Sequence, residues 1–295
     1  MKKIKKNILF IGGTGRNGST ILAKILDQSN DAINIGEAAR YSLSQRMQKM
    51  NIPCECGKLV EHCNFWSNKD IINKDKNLDN RLLKFKRIIR LFLLSYITNS
   101  NQYQKTKNHI LSIYKKLNNN NIYIDTSKHP SFSLLYNDID VFDIFYIHLV
   151  RSPYQFVSSQ TKRKKYLPGK ASVLKASMQW VFYNLFFEIF RFFNKDKCIR
   201  IFYEDFVQNP NLVIEKIEKR YKSNLNISFK KLDSHNQIVL TKIGHSLAGN
   251  PDKFSKNKIT IEQREHNITI FRKILITFFC LPLIMLYINK YYKFK

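Results

Sequence analysis

The densest chemistry in this chain lies in Gly12-Gly13-Thr14-Gly15-Arg16-Asn17-Gly18-Ser19-Thr20. Glycine-rich backbone running into a helix points several N–H groups and the positive helix end at one place, a geometry suited to a phosphate or sulfate. Arg16 adds a cation, and Ser19 and Thr20 add hydroxyl donors in the first helical turn. A nucleotide-triphosphate loop would carry a Gly-Lys pair before its Ser or Thr. Here Gly18-Ser19-Thr20 occupies that place and the lysine is missing. A second anion-binding constellation follows far downstream, where an apolar run ends in Arg151-Ser152-Pro153 and Ser159 comes eight residues after the arginine. A guanidinium fork can take a phosphate through two hydrogen bonds, and a hydroxyl from the next helix supplies another donor.

Proton transfer has two candidates. Glu37 closes the short apolar run Ala32-Ile33-Asn34-Ile35-Gly36, and neighbours such as Arg40 could tune it to accept the proton of an alcohol. Its position fits equally well a glutamate that merely favours a helix N-terminus. His129 is the second candidate base. It adjoins Lys128, a cation able to stabilise charge developing on a leaving phosphate. Asp125, at the end of the same apolar run, is where a nucleotide hydrolase would keep a metal-holding carboxylate. Cys54, Cys56, His62 and Cys63 put three thiols and an imidazole within ten residues, enough in principle for a tetrahedral metal. Their spacings, one residue between the first cysteines and His62 directly beside Cys63, fit zinc patterns poorly. A short loop packed by Phe65 and Trp66, with no metal, is the expectation.

Taken together, Gly15-Arg16-Asn17-Gly18-Ser19-Thr20 resembles the 5′-phosphosulfate loop of sulfotransferases, and Arg151 with Ser159 resembles the 3′-phosphate motif of the same family. The resemblance extends from Ile8 to about Phe254. Cys-x-Cys-Gly followed by Cys-x-Phe-Trp resembles bacterial members, Tyr203-Glu204-Asp205 a strand end where the tyrosine approaches adenine, and residues 244–254 a loop folding over the nucleotide, with Asn250 and Lys253 as contacts. What the resemblance implies is transfer of a sulfuryl group from 3′-phosphoadenosine 5′-phosphosulfate to a hydroxyl, without metal. Glu37 is its preferred base, because carbohydrate sulfotransferases place a glutamate there, and the acceptor would be a saccharide or lipid-linked glycan. Lys128 would sit beside the transferring group. The alternatives are a Mg²⁺-dependent kinase, which the absent lysine disfavours, and a basic anion-binding protein, which would not explain the paired motifs.

These side chains need a scaffold. Apolar runs ending in polar or glycine residues predict strands at 7–11, 32–35, 122–125, 144–150 and 198–203. The expected fold is α/β: a three-layer, doubly wound, mainly parallel sheet of about five strands, with ligands at the carboxyl edge. One domain over residues 1–295 is expected, with a helical insertion at about 69–119 (helices 81–97 and 104–117), a long aromatic-rich helix over 171–193 and an apolar terminal helix at about 261–290. No linker-like stretch divides the 295 residues. Fifty Lys and Arg against 22 Asp and Glu give a formal net charge of +28, which attracts anions. The lysines are spread along the chain, so no nucleic-acid role is expected. The lysine-flanked run at the N-terminus is too short for a secretory leader, and five unevenly spaced cysteines suit a reducing, cytoplasmic compartment. Residues 274–288 are apolar but interrupted by Pro282, and spanning a bilayer takes about twenty such residues. Packing on the domain is expected, with shallow docking at the inner membrane face as the alternative.

Overall fold

Alternate residues of each strand part onto two opposite cores. The protein is described by a computed structural model for residues 5–69, 71–72, 101–118, 122–161, 171–225, 227–249, 254, 257–262 and 268–287. In β1 (Lys6–Gly12), Ile8 and Phe10 enter one apolar cluster and Leu9 and Ile11 the other, as a period of two requires. The same division runs through β2 (Ala32–Gly36), β3 (Ile122–Lys128), β4 (Phe142–Val150) and β5 (Cys198–Phe202). The five strands lie in the order β2-β3-β1-β4-β5 with every neighbouring pair parallel. Burial on both faces explains why these segments read as continuous apolar runs.

Helix α1 (Ser19–Leu26) covers one face through Leu22, Ala23, Ile25 and Leu26. Beyond β2 come the short helices α2 (Ala38–Ser42) and α3 (Gln45–Lys49), then α4 (Asn101–Lys115), α5 (Pro130–Asn137), α6 (Pro153–Thr161) and the 21-residue α7 (Val173–Phe193). Residues of α2, α4, α5 and α7 cover the second face, among them Tyr41, Tyr114, Tyr136 and Phe187. Helices α8 (Tyr203–Gln208) and α9 (Pro210–Leu225) return to the first face. The fold is therefore a doubly wound α/β sandwich of three layers.

All five expected strands are present, each within three residues of its expected bounds. The helix expected over 81–97 lies outside the described residues, whereas that expected over 104–117 is α4. The small antiparallel pair β6 (Gln237–Val239) and β7 (Lys258–Thr260) was not expected: three-residue strands rich in polar groups carry no periodic signal. The expected terminal helix is shorter than its expected bounds: α10 starts at Ile270 and runs to Leu286. One stripe of α10, formed by Ile276, Cys280, Leu283 and Ile284, packs with Trp180 of α7 and Phe156 of α6. No helix among the described residues is long and apolar enough to cross a membrane.

Candidate active site

The loop after β1 is fastened before it can hold anything. Pairing between β1 and β3 slips at Phe10/Gly12, and the Gly13 N–H then donates to the Lys128 carbonyl at 3.2 Å. Such irregularities re-aim backbone where a strand ends. The buried Asn17 side chain donates to the Leu149 carbonyl at 3.0 Å and accepts from the Ser19 N–H at 3.2 Å, so it braces the loop against β4. Gly18 has φ 93°, and a Cβ there would lie 2.4 Å from the Tyr203 ring. No other residue type fits that turn without displacing Tyr203. Thr14 Oγ is buried with no hydrogen-bond partner, an unspent donor inside an anion-sized cradle.

Arg16, Arg151, Ser159 and Tyr203 form one cluster. Strand β4 delivers Arg151 to the sheet edge, where Trp180 Nε1 donates to its carbonyl at 2.7 Å. The Arg151 guanidinium donates to the Arg16 carbonyl at 2.7 Å and to Gln155 Oε1 at 3.0 Å, and it stacks 4.5 Å from the centroid of Tyr203. Arg16 reaches across to the Ser159 carbonyl and, at 3.4 Å, to Ser159 Oγ. Two cations thus face the loop amides, a donor set that fits a dianionic ligand.

A second cluster lies at the ends of β2 and β3. Glu37, 3 % exposed, accepts from Lys128 Nζ at 2.6 Å through Oε1 and from Arg40 at 2.5 Å through Oε2. Burial alone would raise its carboxyl, but the Lys128 ammonium and then the Arg40 guanidinium outweigh it and hold Glu37 below the ordinary carboxylate range. Gly249 sits between the two clusters: a Cβ there would be 3.7 Å from Thr20 Oγ and 4.0 Å from Glu37 Oε1. Among the described residues, left-handed backbone at non-glycine positions occurs at Arg16, Lys128 and Ala248 around this site, and at two asparagines elsewhere. Such strain concentrates at functional sites.

His129 lies beside this cluster in another role. Its Nδ1 accepts the Ser131 N–H at 3.2 Å, capping α5, and the ring meets Tyr183 edge-on at 5.1 Å. Burial, and then Arg40, push its pKa down to about 3. With Nδ1 accepting, the neutral ring carries its proton on Nε2, a buried atom without a partner. His129 is built to donate a hydrogen bond, which is the reverse of the base considered from sequence. Asp125 is engaged elsewhere: it is fully buried, accepts from Tyr136 at 2.6 Å and from Tyr114, and burial raises its carboxyl. Asn250 and Lys253 lie outside the described residues.

The cysteine loop is packed by Phe65 and Trp66 as expected, yet it holds more. Cys54, Cys56 and Cys63 converge with His245, their four ligand atoms all within 4.8 Å of one another. His62, their neighbour in sequence, is exposed and paired with Glu61 at 3.6 Å. Sequence reasoning missed His245 as a partner, and Tyr183 and Leu247 as walls of the site. The signal for His245 was its place beside glycine in the loop expected to close over the nucleotide.

Residues 9–223 match the sequence profile of the Sulfotransferase family. The chain belongs to the sulfotransferase family. No protein of curated function matches it in sequence. Among solved structures, it is similar to the sulfotransferase domain of the Synechococcus PCC 7002 olefin synthase (17 % identity, TM-score 0.45, covering 94 % of this chain and 95 % of that one). It is likewise similar to the sulfotransferase domain of the curacin biosynthetic pathway (15 %, 0.47, 94 % and 97 %) and to a sulfotransferase from Alicyclobacillus acidocaldarius (12 %, 0.48, 95 % and 93 %). As a sulfotransferase, the chain is a transferase, with the loop of residues 12–20 and the Arg151 cluster inside the matched segment.

Proposed function

We propose that this sulfotransferase moves the sulfuryl group of 3′-phosphoadenosine 5′-phosphosulfate to an acceptor alcohol, with Glu37 as the base. The observation that carries the reading is the buried Glu37 carboxylate held between Lys128 and Arg40 beside the anion loop. The donor supplies a sulfuryl group already activated by its phosphate linkage. The loop amides, Arg16 and Thr14 take the 5′ side. Arg151 and Ser159 take the 3′-phosphate, and Tyr203, stacked on Arg151, walls the base. Orientation and fixed positive charge do most of the work in such a site.

In the transfer, the acceptor oxygen bonds to sulfur as the bond from sulfur to the bridging oxygen breaks, leaving adenosine 3′,5′-bisphosphate. Glu37 takes the hydroxyl proton. Lys128 links both events. When its ammonium turns toward the bridging oxygen, Glu37 loses the cation that lowers its carboxyl most, and its basicity rises when the alcohol must deprotonate. No metal takes part in these steps. A kinase reading loses support because the loop lysine is missing and Asp125 is tied to two tyrosines. Simple anion binding leaves Glu37 without a task.

A carboxylate base supports an alcohol acceptor, and the basic surface supports an anionic one; a saccharide or lipid-linked glycan fits both. Helix α10 favours the lipid-linked case: opposite its packed stripe, Ile270, Ile274, Phe278, Leu281 and Met285 are 46–77 % exposed. With a net charge of +28, this face suits peripheral contact with an anionic lipid surface on the cytoplasmic side. The deciding experiment on the chemistry is turnover by the Glu37→Gln protein, with binding of adenosine 3′,5′-bisphosphate measured in parallel. Lost turnover with binding intact supports the reading, and unchanged turnover removes Glu37 as the base.

A further inference from the structure

We propose that Cys54, Cys56, Cys63 and His245 bind one Zn²⁺ ion, and that this ion clamps residues 244–249 against β2 beside Glu37. The inference is independent of the donor and acceptor assigned above. Cys63 Sγ lies 3.7 Å from Cys54 Sγ and 3.6 Å from Cys56 Sγ, and His245 Nδ1 lies 3.4 Å from Cys63 Sγ and 3.9 Å from Cys54 Sγ. A tetrahedron with Zn–S of about 2.3 Å and Zn–N of about 2.0–2.1 Å has S···S edges of about 3.8 Å and S···N edges of about 3.6 Å. These four edges match that polyhedron, and the other two are within 4.8 Å. Three thiolates and an imidazole in tetrahedral array are a donor set for zinc, and four protein ligands leave no open position. The ion is structural and takes no part in the chemistry at Glu37.

The surroundings are those of a held ligand set. Phe65 stacks on the His245 ring at 4.6 Å with 7° between planes, and Trp66 Nε1 donates to the His245 carbonyl at 2.7 Å. Both fix the direction of Nδ1, as partners of metal-bound histidines do. The Gly57 N–H donates to the Cys54 carbonyl at 2.9 Å, with Gly57 at φ 86°, so a tight turn presents Cys54 and Cys56 together. The short 3₁₀ turn Val60–His62 then brings Cys63 back. Lys69, within electrostatic reach of Cys63, offsets the single negative charge that three thiolates and Zn²⁺ would leave.

The clamp has a definite purpose in the fold. Residues 245–247 add to the β2 edge through His245 N–H to the Asn34 carbonyl at 3.0 Å, Leu247 N–H to the Ile35 carbonyl at 3.2 Å and Glu37 N–H to the Leu247 carbonyl at 2.9 Å. Glu55 N–H also donates to the Ser246 carbonyl at 3.1 Å. These few bonds hold a segment that comes from far along the chain, 182 residues after Cys63, and they set the position of Gly249 between Thr20 and Glu37. An ion bridging the two segments closes that long loop and lets the bonds form in place.

The test is metal analysis of the purified full-length protein by inductively coupled plasma mass spectrometry. The expected result is one zinc per chain in the wild type and in His62→Ala and Cys198→Ser, which lie outside the cluster. Zinc should be lost in Cys63→Ser and His245→Ala and retained in His245→Cys, which restores a fourth ligand. Because Cys63→Ser can simply fail to fold, Co²⁺ is also titrated into chelator-stripped wild type, where saturation at one equivalent with the intense visible bands of tetrahedral cobalt thiolate is expected. Stripping should also expose the 240–249 segment to protease, and added Zn²⁺ should protect it. Zinc below about a tenth of an equivalent after incubation with ZnCl₂, iron in its place, loss in His62→Ala but not His245→Ala, or a cobalt spectrum without thiolate bands would each overturn the proposal.

Discussion

Replacing Glu37 by glutamine keeps an acceptor for Lys128 but removes the negative charge and the oxygen that accepts from Arg40. Breaking a buried ion pair by neutralising one partner costs about 3–5 kcal/mol. Lys128 is 10 % exposed in its side chain, so its share stands nearly in full, whereas Arg40 is 46 % exposed and its share is screened. The retained acceptor lowers the cost further, to about 2 kcal/mol, or roughly 3 °C in Tm for a chain of this size. The sign with pH follows from the depressed carboxyl: Glu37 contributes stability above the ordinary carboxylate range and loses it as pH falls through its lower folded value. The gap between wild type and variant in denaturant titrations should therefore be full at pH 7 and close in strong acid. Turnover should fall about 10²- to 10⁴-fold, the usual contribution of a positioned base, while calorimetric binding of adenosine 3′,5′-bisphosphate stays within a few-fold of wild type. Turnover within threefold of wild type would refute the assignment, and loss of bisphosphate binding would show that Glu37 serves the donor.

Four further outcomes follow from the same geometry. Arg151→Ala should abolish the Tm rise given by adenosine 3′,5′-bisphosphate in magnesium-free buffer, a rise that at a hundred times Kd amounts to about 2.7 kcal/mol in the wild type; a retained shift would separate Arg151 from the donor. Gly18→Ala meets both a left-handed backbone and the Tyr203 ring, so it should cost about 1–3 kcal/mol in urea unfolding and weaken bisphosphate binding through displaced Tyr203. His129, with a folded pKa of about 3 against 6.5 unfolded, makes the fold lose stability as pH drops below 6.5, by about 2 kcal/mol at pH 5; His129→Asn should flatten that part of the pH profile and leave turnover above that of Glu37→Gln. Phe278→Glu, on the exposed stripe of α10, should reduce co-sedimentation with vesicles of phosphatidylglycerol while sparing soluble-substrate turnover; equal sedimentation would remove α10 from the membrane contact.

The scaffold was legible because its strands are buried on both faces: residues such as Ile8 to Ile11 have no polar alternation to confuse, and the polar residues that end each run mark the carboxyl edge. The placing of the loop after β1 and of Arg151 at one sheet edge was legible for a related reason, since a strand, a turn and a helix lie contiguous in the chain. What stayed hidden is what only the fold brings together. His129 looked like a base until its Nδ1 was found capping α5, a local hydrogen bond that fixes the proton on the other nitrogen. Asp125 looked like a metal ligand until two tyrosines from α4 and α5 closed over it. His245 lies 191 residues beyond Cys54, while His62, next to Cys63, points to solvent. Adjacency in sequence pointed away from the histidine that meets the three thiols.

Left-handed backbone at Arg16 makes a last, sharper test of how the loop trades stability for function. A non-glycine residue there pays about 1–2 kcal/mol, at φ 61°. The side chain returns part of this through its hydrogen bonds to the Ser159 carbonyl and Oγ, each worth about 1 kcal/mol net. Arg16→Ala loses those bonds and keeps the strain. Arg16→Gly loses the same bonds but relieves the strain, offset by about 0.5–1 kcal/mol of chain entropy in the unfolded state. The glycine variant should therefore be more stable than the alanine variant by about 0.5–1 kcal/mol in urea unfolding, while neither binds adenosine 3′,5′-bisphosphate. The reverse order of stability would mean that residue 16 is free to leave the left-handed region, and that the loop is not the fixed cradle on which the reading of the anion site depends.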